Sequence, residues 1–425
     1  MHVHAGETRS DLAPRARRRA RIVLAAIVAP LLIATIVGLV ILHPGHATRI
    51  GSLPEIAQGM ESASVRVVDK PLSQCQLEGV ETDESGSLLQ SAVCATVLNG
   101  QGAGMTVPVH VPPEYTNDIH VGTVIKVLYN PNQVMQGTPY LFWDIERSLP
   151  MWLLAAVYVV LVVAVAGKRG FAALVGLLAS SLVLIGFVVP ALMAGSSPLA
   201  VTIVGAAAML FVSVYLAHGV TIRTTMALLG TFVGLGVTIL LALWGVRAAT
   251  LSGATSEDAL TLFTYFPKMS LSSLLTCGIV IAALGALNDV TITQVSAVWE
   301  LQAANPHMGR WRLFSRAMRI GSDHIASTVY TLAFAYAGTA LPTLILAMMV
   351  DRPIGSLLVA GDIAEEVVRT LVASIGLILA IPLTTGLGTL LASAVGGDAG
   401  KRAHAPSAPL ESRENMWEVE LGERR

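Results

Sequence analysis

The segment "GALNDVTITQVSAVWEL", Gly285–Leu301, follows an apolar run and yet carries amide, hydroxyl and carboxylate side chains. On a helix with 100° per residue, Asp289, Thr293, Ser296 and Glu300 fall within about 60° of one another. Apolar residues surround this line. A cytosolic helix has a broad polar face, whereas this segment has a narrow polar line on an apolar cylinder. The pattern predicts a membrane helix that lines a hydrated crevice opening to the cytoplasm.

The chain as a whole has the composition of a membrane protein with several spans. Of its 425 residues, 54% are hydrophobic and 13% are charged, with a mean hydropathy of +0.67. An ordinary soluble domain carries about 25% charged residues. Apolar runs of about 18 or more residues recur, and such runs can cross a hydrocarbon core of roughly 30 Å. We therefore expect the lipid bilayer as a partner, and the net charge of −1 indicates no nucleic-acid partner.

The predicted fold class is a mainly α polytopic membrane protein of about eight transmembrane helices, with a small extracytoplasmic antiparallel β domain between the first and second spans. Five arginines precede the first apolar run, which favours a retained signal anchor over a cleaved signal peptide. The predicted domains are a basic cytoplasmic N-terminus (1–21), a transmembrane anchor (22–43), the β domain (44–148), a seven-span bundle (149–395) with an amphipathic cytoplasmic segment near 300–322, and a disordered cytoplasmic tail (396–425). The predicted later spans are 149–166, 170–191, 199–218, 224–246, 271–290, 323–350 and 368–394.

The predicted β domain rests on short β-branched runs that alternate apolar and polar residues. "SVRVVD", "SAVCATVL", "MTVPVHV", "GTVIKVLY" and "PYLFWDI" are separated by turn signals such as "NGQGAG". These runs favour a small antiparallel domain, for which a barrel is one arrangement. Cys75 and Cys94 lie in this segment and are a candidate disulfide if the domain is exported. The alternative is two unpaired thiols.

The distribution of basic residues predicts the orientation of the bundle. With the N-terminus inside, the basic residues of the inner connections are Lys168, Arg169, Arg223, Arg310, Arg312, Arg316 and Arg319. The outer connections carry Arg247, Lys268 and Arg352. Because cytoplasmic loops are enriched in lysine and arginine, we expect both termini in the cytoplasm and the protein in the plasma membrane.

A second polar line occurs in "RWRLFSRAMRIGSDHIASTVY", residues 310–330. Arg312, Arg316, Arg319 and Asp323 share one helical face, and Arg319 and Asp323 are a candidate ion pair at a spacing of four. His324 follows on a different line. Carboxylates near membrane depth are costly and usually functional, and histidine changes charge near neutral pH. Asp289, Asp323 and His324 therefore suit a proton- or cation-coupled carrier. The predicted lining of the polar crevice is Asp289, Thr293, Ser296, Glu300, Asp323 and His324. The alternative is structural, with Asp323 beginning a helix and pairing with Arg319.

Helix-breaking residues fall inside two predicted spans. Pro342 interrupts the seventh span, and Pro382 interrupts the eighth within "IPLTTGLG". A broken helix frees backbone carbonyls, which persist at membrane depth only beside a cavity or inside protein. The alternative is a plain proline kink that neighbouring helices repair.

No nucleotide-binding, zinc-protease or CxxC motif is present, so we predict no cofactor and no enzyme activity, with an intramembrane enzyme as the minor alternative. The first functional hypothesis is coupled movement of an unknown solute or ion. The second is an envelope sensor or scaffold whose β domain binds a cell-wall component or a partner protein.

Several of these segments resemble the bacterial YibE/F-like membrane proteins. "GALNDVTITQVSAVWEL" and "RIGSDHIASTVYTLAFAYAGTALP" are similar to that family's most distinctive blocks, "WDIERSLPMWLL" to its bridging element and "LAIPLTTGLGTLLA" to its closing span. The resemblance covers roughly residues 60–395 and implies a multi-pass plasma-membrane protein without a specific chemistry. The family-typical positions are Asp289, Glu300, Gly321, Asp323 and Gly338. The basic N-terminus, the polar tail and the cysteine pair depart from the family pattern.

Overall fold

The structure is a computed structural model that divides the chain into two compact units. It describes residues 14–45, 59–71, 75, 92–100, 102–130, 140–350 and 353–403. One unit comprises Met1–Thr48 with Ala172–Arg425, and the other comprises Arg49–Phe171. Residues 1–13 of the predicted basic N-terminus and residues 404–425 of the predicted tail lie outside the described residues.

The second unit contains a closed five-stranded barrel. Its strands are β1 (Glu61–Val67), β2 (Ala92–Val97), β3 (Thr106–His110), β4 (Val124–Tyr129) and β5 (Tyr140–Ile145), in the order β1-β2-β3-β5-β4. All neighbouring strands are antiparallel except β3 and β5, which are parallel. The inward side chains of the alternating runs, among them Val65, Val109 and Ile125, are fully buried. The predicted small β domain is thereby confirmed as a barrel, but the prediction that it is antiparallel is wrong for the β3–β5 pair.

Cys75 and Cys94 are joined in the structure, with their Cα atoms 6.1 Å apart. This separation is within the range that disulfides require. Cys94 lies on β2, and the Cys94 sulfur also approaches the carbonyl oxygen of Pro71 at 3.7 Å. The bridge therefore links the middle of a barrel strand to the segment that follows β1.

Charged side chains connect the barrel to the helix that follows it, α2 (Ser148–Val183). Nζ of Lys126, on β4, lies 3.1 Å from Oε2 of Glu146. The other carboxylate oxygen of Glu146, Oε1, accepts a hydrogen bond from the Ser148 backbone N–H at 3.1 Å. The hydrogen bonds from Ser148 and Lys126 lower the pKa of Glu146 from 4.5 to about 2. One carboxylate thus holds the end of the barrel and the start of the helix together.

We expect E146Q to destabilise this junction in a pH-dependent way. Since the folded-state pKa is depressed, the stabilisation is complete above the ordinary pKa of 4.5 and is lost as the pH falls toward about 2. At pH 7 the barrel of the wild-type protein should melt at a higher temperature than that of E146Q. The two melting temperatures should converge as the pH falls below 4.5. The infrared β-sheet bands of the full-length protein measure the thermal unfolding of the barrel in wild-type protein and in E146Q.

E114Q is the control, because Glu114 forms no ion pair in the described residues. A gap that is constant from pH 7 to pH 2 contradicts the assignment.

The remaining elements are helical. They are α1 (Pro14–Ile41), a π-helical segment (Leu184–Val188), α3 (Val189–Met193), α4 (Pro198–His218), α5 (Ile222–Ala248), α6 (Glu257–Tyr265), α7 (Leu271–Ala304), α8 (Arg310–Thr339), α9 (Leu341–Met348), α10 (Ile354–Leu358) and α11 (Gly361–Ala403). Within the described residues, six helical stretches are long and apolar enough to cross a membrane, or seven if α8 and α9 form one bent span. One of the six, Ser148–Met193, has 46 residues and contains a non-helical Gly167 with φ 58°.

Small residues allow α5 and α11 to pack very closely in antiparallel directions. A Cβ added to Gly230 would lie 2.5 Å from Thr384 Oγ1, and one added to Gly234 would lie 2.9 Å from the Ala380 Cβ. A Cβ at Gly376 would overlap Thr238. The contacts recur every four residues on both helices, which is the spacing of one helical face. Close approach through small residues is a common means of joining membrane helices, because lipid provides little hydrophobic drive between them.

The two predicted helix breaks behave differently. The chain bends by 67° between α8 and α9, and Pro342 lies in the first turn of α9. Pro382, in contrast, lies inside α11, which continues as a helix to Ala403, so the predicted break at Pro382 is not present. Ile381, Thr384 and Thr385 are fully buried around it, and such packing holds a proline-containing helix together. The helix also includes residues 396–403, which were predicted to belong to the disordered tail.

Candidate functional site

The predicted polar line of α7 lies on the surface of the helical unit. Asp289, Thr293 and Glu300 are exposed and Ser296 is half-buried. The opposite face of α7 is buried against the bundle. The side chains therefore share one face, as the sequence predicts, and this face points away from the packed core.

The same line continues toward the start of α7 through small residues that sequence reasoning missed. Gly278, Ala282 and Gly285 are exposed, and a Cβ at either glycine would meet nothing within 4 Å. Each member of the line follows the preceding one after three or four residues. The α7 strip is defined here as Gly278, Ala282, Gly285, Asp289, Thr293, Ser296 and Glu300.

The length of the α7 strip matches a membrane. From residue 278 to residue 300 a helix rises about 33 Å, compared with roughly 30 Å for the hydrocarbon core. Asp289 lies halfway along it. The outward face of α5 is different, because it exposes bulky apolar side chains. Leu240 is 68% exposed and Trp244 is 71% exposed. Bulky apolar side chains suit lipid, whereas the α7 strip exposes only small and polar groups.

Asp289 has a partner on the neighbouring helix α8. Its Oδ2 lies 3.8 Å from Nε2 of His324, and the Asp289 side chain is 72% exposed. Nε2 of His324 is inaccessible to solvent and lacks a hydrogen-bond partner in the described residues. The structure thus brings Asp289 and His324 together at the midpoint of the α7 strip, as a pair that is close but not bonded.

The candidate ion pair between Arg319 and Asp323 is not formed in the structure of residues 310–339. Both side chains are exposed. An arginine that precedes its acid by four residues is the weaker order on a helix, and exposed pairs contribute little. Asp323 instead lies on the exposed face of α8 with Arg316 and Arg319, so it does not join the Asp289–His324 pair and the prediction that it lines the same crevice is wrong.

Glu300 at the end of the α7 strip is paired. Its Oε1 accepts a hydrogen bond from Nη2 of Arg223 at 3.2 Å, which links the end of α7 to the start of α5. This partner lies on a distant segment of the chain. Sequence periodicity groups residues of one helix and cannot identify such a partner.

A buried glutamine fixes the position of α7 relative to its neighbours. Gln294 is 2% exposed, and its Nε2 donates to the Ala317 carbonyl oxygen at 2.9 Å and to Thr385 Oγ1 at 2.7 Å. Gly321 provides the space, because a Cβ there would lie 2.9 Å from Gln294 Oε1. The amide thereby joins α7, α8 and α11, and these two hydrogen bonds hold the α7 strip outward.

A buried carboxylate lies near the start of α11, outside the predicted span of 368–394. Glu365 is 7% exposed and accepts hydrogen bonds at 3.0 Å from the Gly253 backbone N–H and the Thr255 hydroxyl. Gly253 has φ +71° and lies against the backbone of Leu271. Glu365 therefore fastens the loop after α5 to α11, which is a structural role. No cluster of three potential metal ligands occurs among the described residues.

The comparisons with known proteins give one match. Residues 154–394, more than half of the chain, match the family model described as YibE/F-like protein. The matched region begins after the barrel and includes most of α2, all of α3 to α10 and most of α11. Neither a curated protein nor a solved structure matches the chain. The long apolar helices and this match together make the chain a membrane protein that belongs to the YibE/F-like family.

Proposed function

We propose that the protein moves a solute or ion across the plasma membrane along the α7 strip, coupled to protonation or cation binding at Asp289. The observation that carries this proposal is the continuous line of small and polar side chains over about one membrane thickness, with a carboxylate at its midpoint. An aspartate at the centre of a lipid-facing helix costs about 3 kcal/mol. The strip therefore faces water or protein.

The Asp289–His324 pair supplies the proposed coupling step. When His324 is protonated and Asp289 ionised, their attraction favours the close arrangement of α7 and α8. A proton or cation at Asp289 removes that attraction, because the carboxylate charge is then neutralised. The separation of 3.8 Å leaves the pair free to open without breaking a direct hydrogen bond. Thr293 lies one helical turn from Asp289 on the α7 strip and adds to the polar lining.

We further propose eight spans with both termini in the cytoplasm and the barrel outside. The 46-residue stretch Ser148–Met193 would extend about 69 Å as a straight helix, which is enough for two spans separated at Gly167. With α8 and α9 as one bent span, the total is eight.

The charges at the two ends of the helical unit support this orientation. Leu24, Met226 and Val295 pack together and show that the start of α1, the start of α5 and the end of α7 lie at one end. The described basic residues at this end are Arg18, Arg19, Arg21, Arg223, Arg310, Arg312, Arg316 and Arg319. The opposite end carries the fewer described basic residues Arg247, Lys268 and Arg369, together with the acidic residues Glu257, Asp258, Asp362, Glu365 and Glu366. The basic end is the cytoplasmic end under the positive-inside rule.

The proposal predicts that D289N abolishes function. The substitution keeps the shape of the side chain and removes the group that binds a proton or cation. The measurement is complementation of a deletion strain, first screened against metals, drugs and osmolytes to obtain a phenotype. D258N is the control, because Asp258 is exposed on α6 outside the α7 strip. Full complementation by D289N, at normal membrane abundance, would rule out a coupling carboxylate at this position.

The closed barrel favours a second candidate function, that of an envelope sensor or scaffold that binds a cell-wall component or a partner protein. The barrel has a hydrophobic core of its own, and the family match does not include it. Deleting residues 50–145 discriminates between the two functions. A carrier retains complementation after this deletion, whereas a sensor loses it.

A further inference from the structure

The first half of α8 carries an arginine row that faces away from the bundle. Arg312, Arg316 and Arg319 are exposed and fall within about 60° of the helix circumference, over a rise of about 10 Å. Leu313 and Ala317 are fully buried on the side that packs against the bundle. The arginine row is therefore directed outward by the packing of α8.

The charges of the arginine row are only partly balanced on the protein, because a single acid, Asp323, follows Arg319 by four residues on the same exposed face. None of the three guanidinium groups forms a salt bridge or a side-chain hydrogen bond within the described residues. Glu300, an acid at the same end of the helical unit, is engaged by Arg223. Three positive charges against one acid, with no ion pair among the described residues, leave a net positive face that creates a site for an external anion.

Aromatic residues beside the arginine row indicate the depth of this site. Trp311 is 83% exposed and meets Phe314 edge-on, with ring centroids 6.0 Å apart. Exposed tryptophan is typical of the boundary between headgroups and hydrocarbon. An amphipathic helix with basic and aromatic residues together is typical of a segment that lies in this boundary.

We propose that the arginine row binds the headgroups of anionic phospholipids in the leaflet at the basic end of the bundle. The three guanidinium groups offer paired N–H donors to phosphate oxygens, while Trp311 enters the upper acyl region. Because the row lies on α8, which also carries His324, bound lipid fixes the position of the helix that holds the partner of Asp289. The binding itself does not depend on a transport function.

The test compares lipid binding by full-length protein variants. Purified protein in detergent is mixed with equal amounts of phosphatidylglycerol and phosphatidylcholine, and native mass spectrometry measures the ratio bound. An arginine near an anionic surface contributes about five-fold in affinity. We expect R316Q to lower the preference for phosphatidylglycerol about five-fold, and R312Q/R316Q/R319Q to lower it about 100-fold. R310Q is the matched control, because Arg310 is exposed on the same helix but lies about 150° from the centre of the row.

Two results overturn the proposal. If R316Q and the triple variant retain the wild-type preference, the row does not bind the headgroups. If inorganic phosphate at millimolar concentration displaces phosphatidylglycerol from the wild-type protein, the site recognises free phosphate and not the lipid. Loss of preference in R310Q equal to that in R316Q also contradicts the assignment, because the effect then follows net charge and not the outward row.

Discussion

Replacing Gly376 by leucine should prevent the helical unit from folding, whereas the same replacement at Gly386 should be tolerated. A Cβ at Gly376 would overlap Thr238 on the facing helix α5, while a Cβ at Gly386 would meet nothing within 4 Å. Both glycines lie on α11, so their helix propensities cancel in the comparison. Inserting a large side chain into a packed contact costs about 1–3 kcal/mol or more. Here the two helices must also separate, and the Gly230–Thr384 and Gly234–Ala380 contacts are lost with them.

Membrane abundance and thermal unfolding in detergent measure this difference. We expect no monodisperse folded G376L protein and a G386L protein close to wild type. G376A is an intermediate variant, because it adds only the Cβ and should lower the melting temperature without abolishing the fold. Equal stability of G376L and G386L would show that α5 and α11 are not packed through their small residues.

Sequence periodicity predicted the elements that have strong local signals. The alternating runs around Val65, Val109 and Ile125 became barrel strands, because a period of two places their apolar side chains on one face of a sheet. The polar line of α7 was also predicted, since four polar residues at helical spacing stand out in an apolar segment. Both predictions depend only on neighbours along the chain.

Other features could not be predicted, because their signals are weak or come from distant segments. Gly278, Ala282 and Gly285 extend the α7 strip, but small residues are not distinguished by polarity and also occur in packed contacts such as Gly234. Glu365 is buried because Gly253 and Thr255, more than a hundred residues earlier, donate to it.

The arginine and proline predictions show a related limit. Arg319 and Asp323 have the spacing of an ion pair, but spacing does not fix exposed side chains in contact. Pro382 reads as a helix break in the sequence, yet the packing of Ile381 and Thr385 keeps α11 continuous. In both cases the tertiary environment decides between outcomes that the local sequence leaves open.

The central claim is that the α7 strip is hydrated over its whole length. Thiol chemistry tests this claim, because the reactive species is the thiolate and an apolar environment raises the thiol pKa. Each unit of that increase lowers the thiolate fraction ten-fold. Single cysteines are introduced at Ala282, Gly285 and Thr293 on the strip and at Leu240 on the apolar face of α5. The native Cys277 is 2% exposed and provides the unreactive reference.

The decisive measurement is the rate at which a charged, membrane-impermeant methanethiosulfonate reagent modifies these cysteines in full-length protein in lipid vesicles. We predict that A282C, G285C and T293C react at least about ten-fold faster than L240C, and that wild-type protein does not react. If the three strip cysteines are as slow as L240C, the strip is dry, and the proposed path along α7 is contradicted.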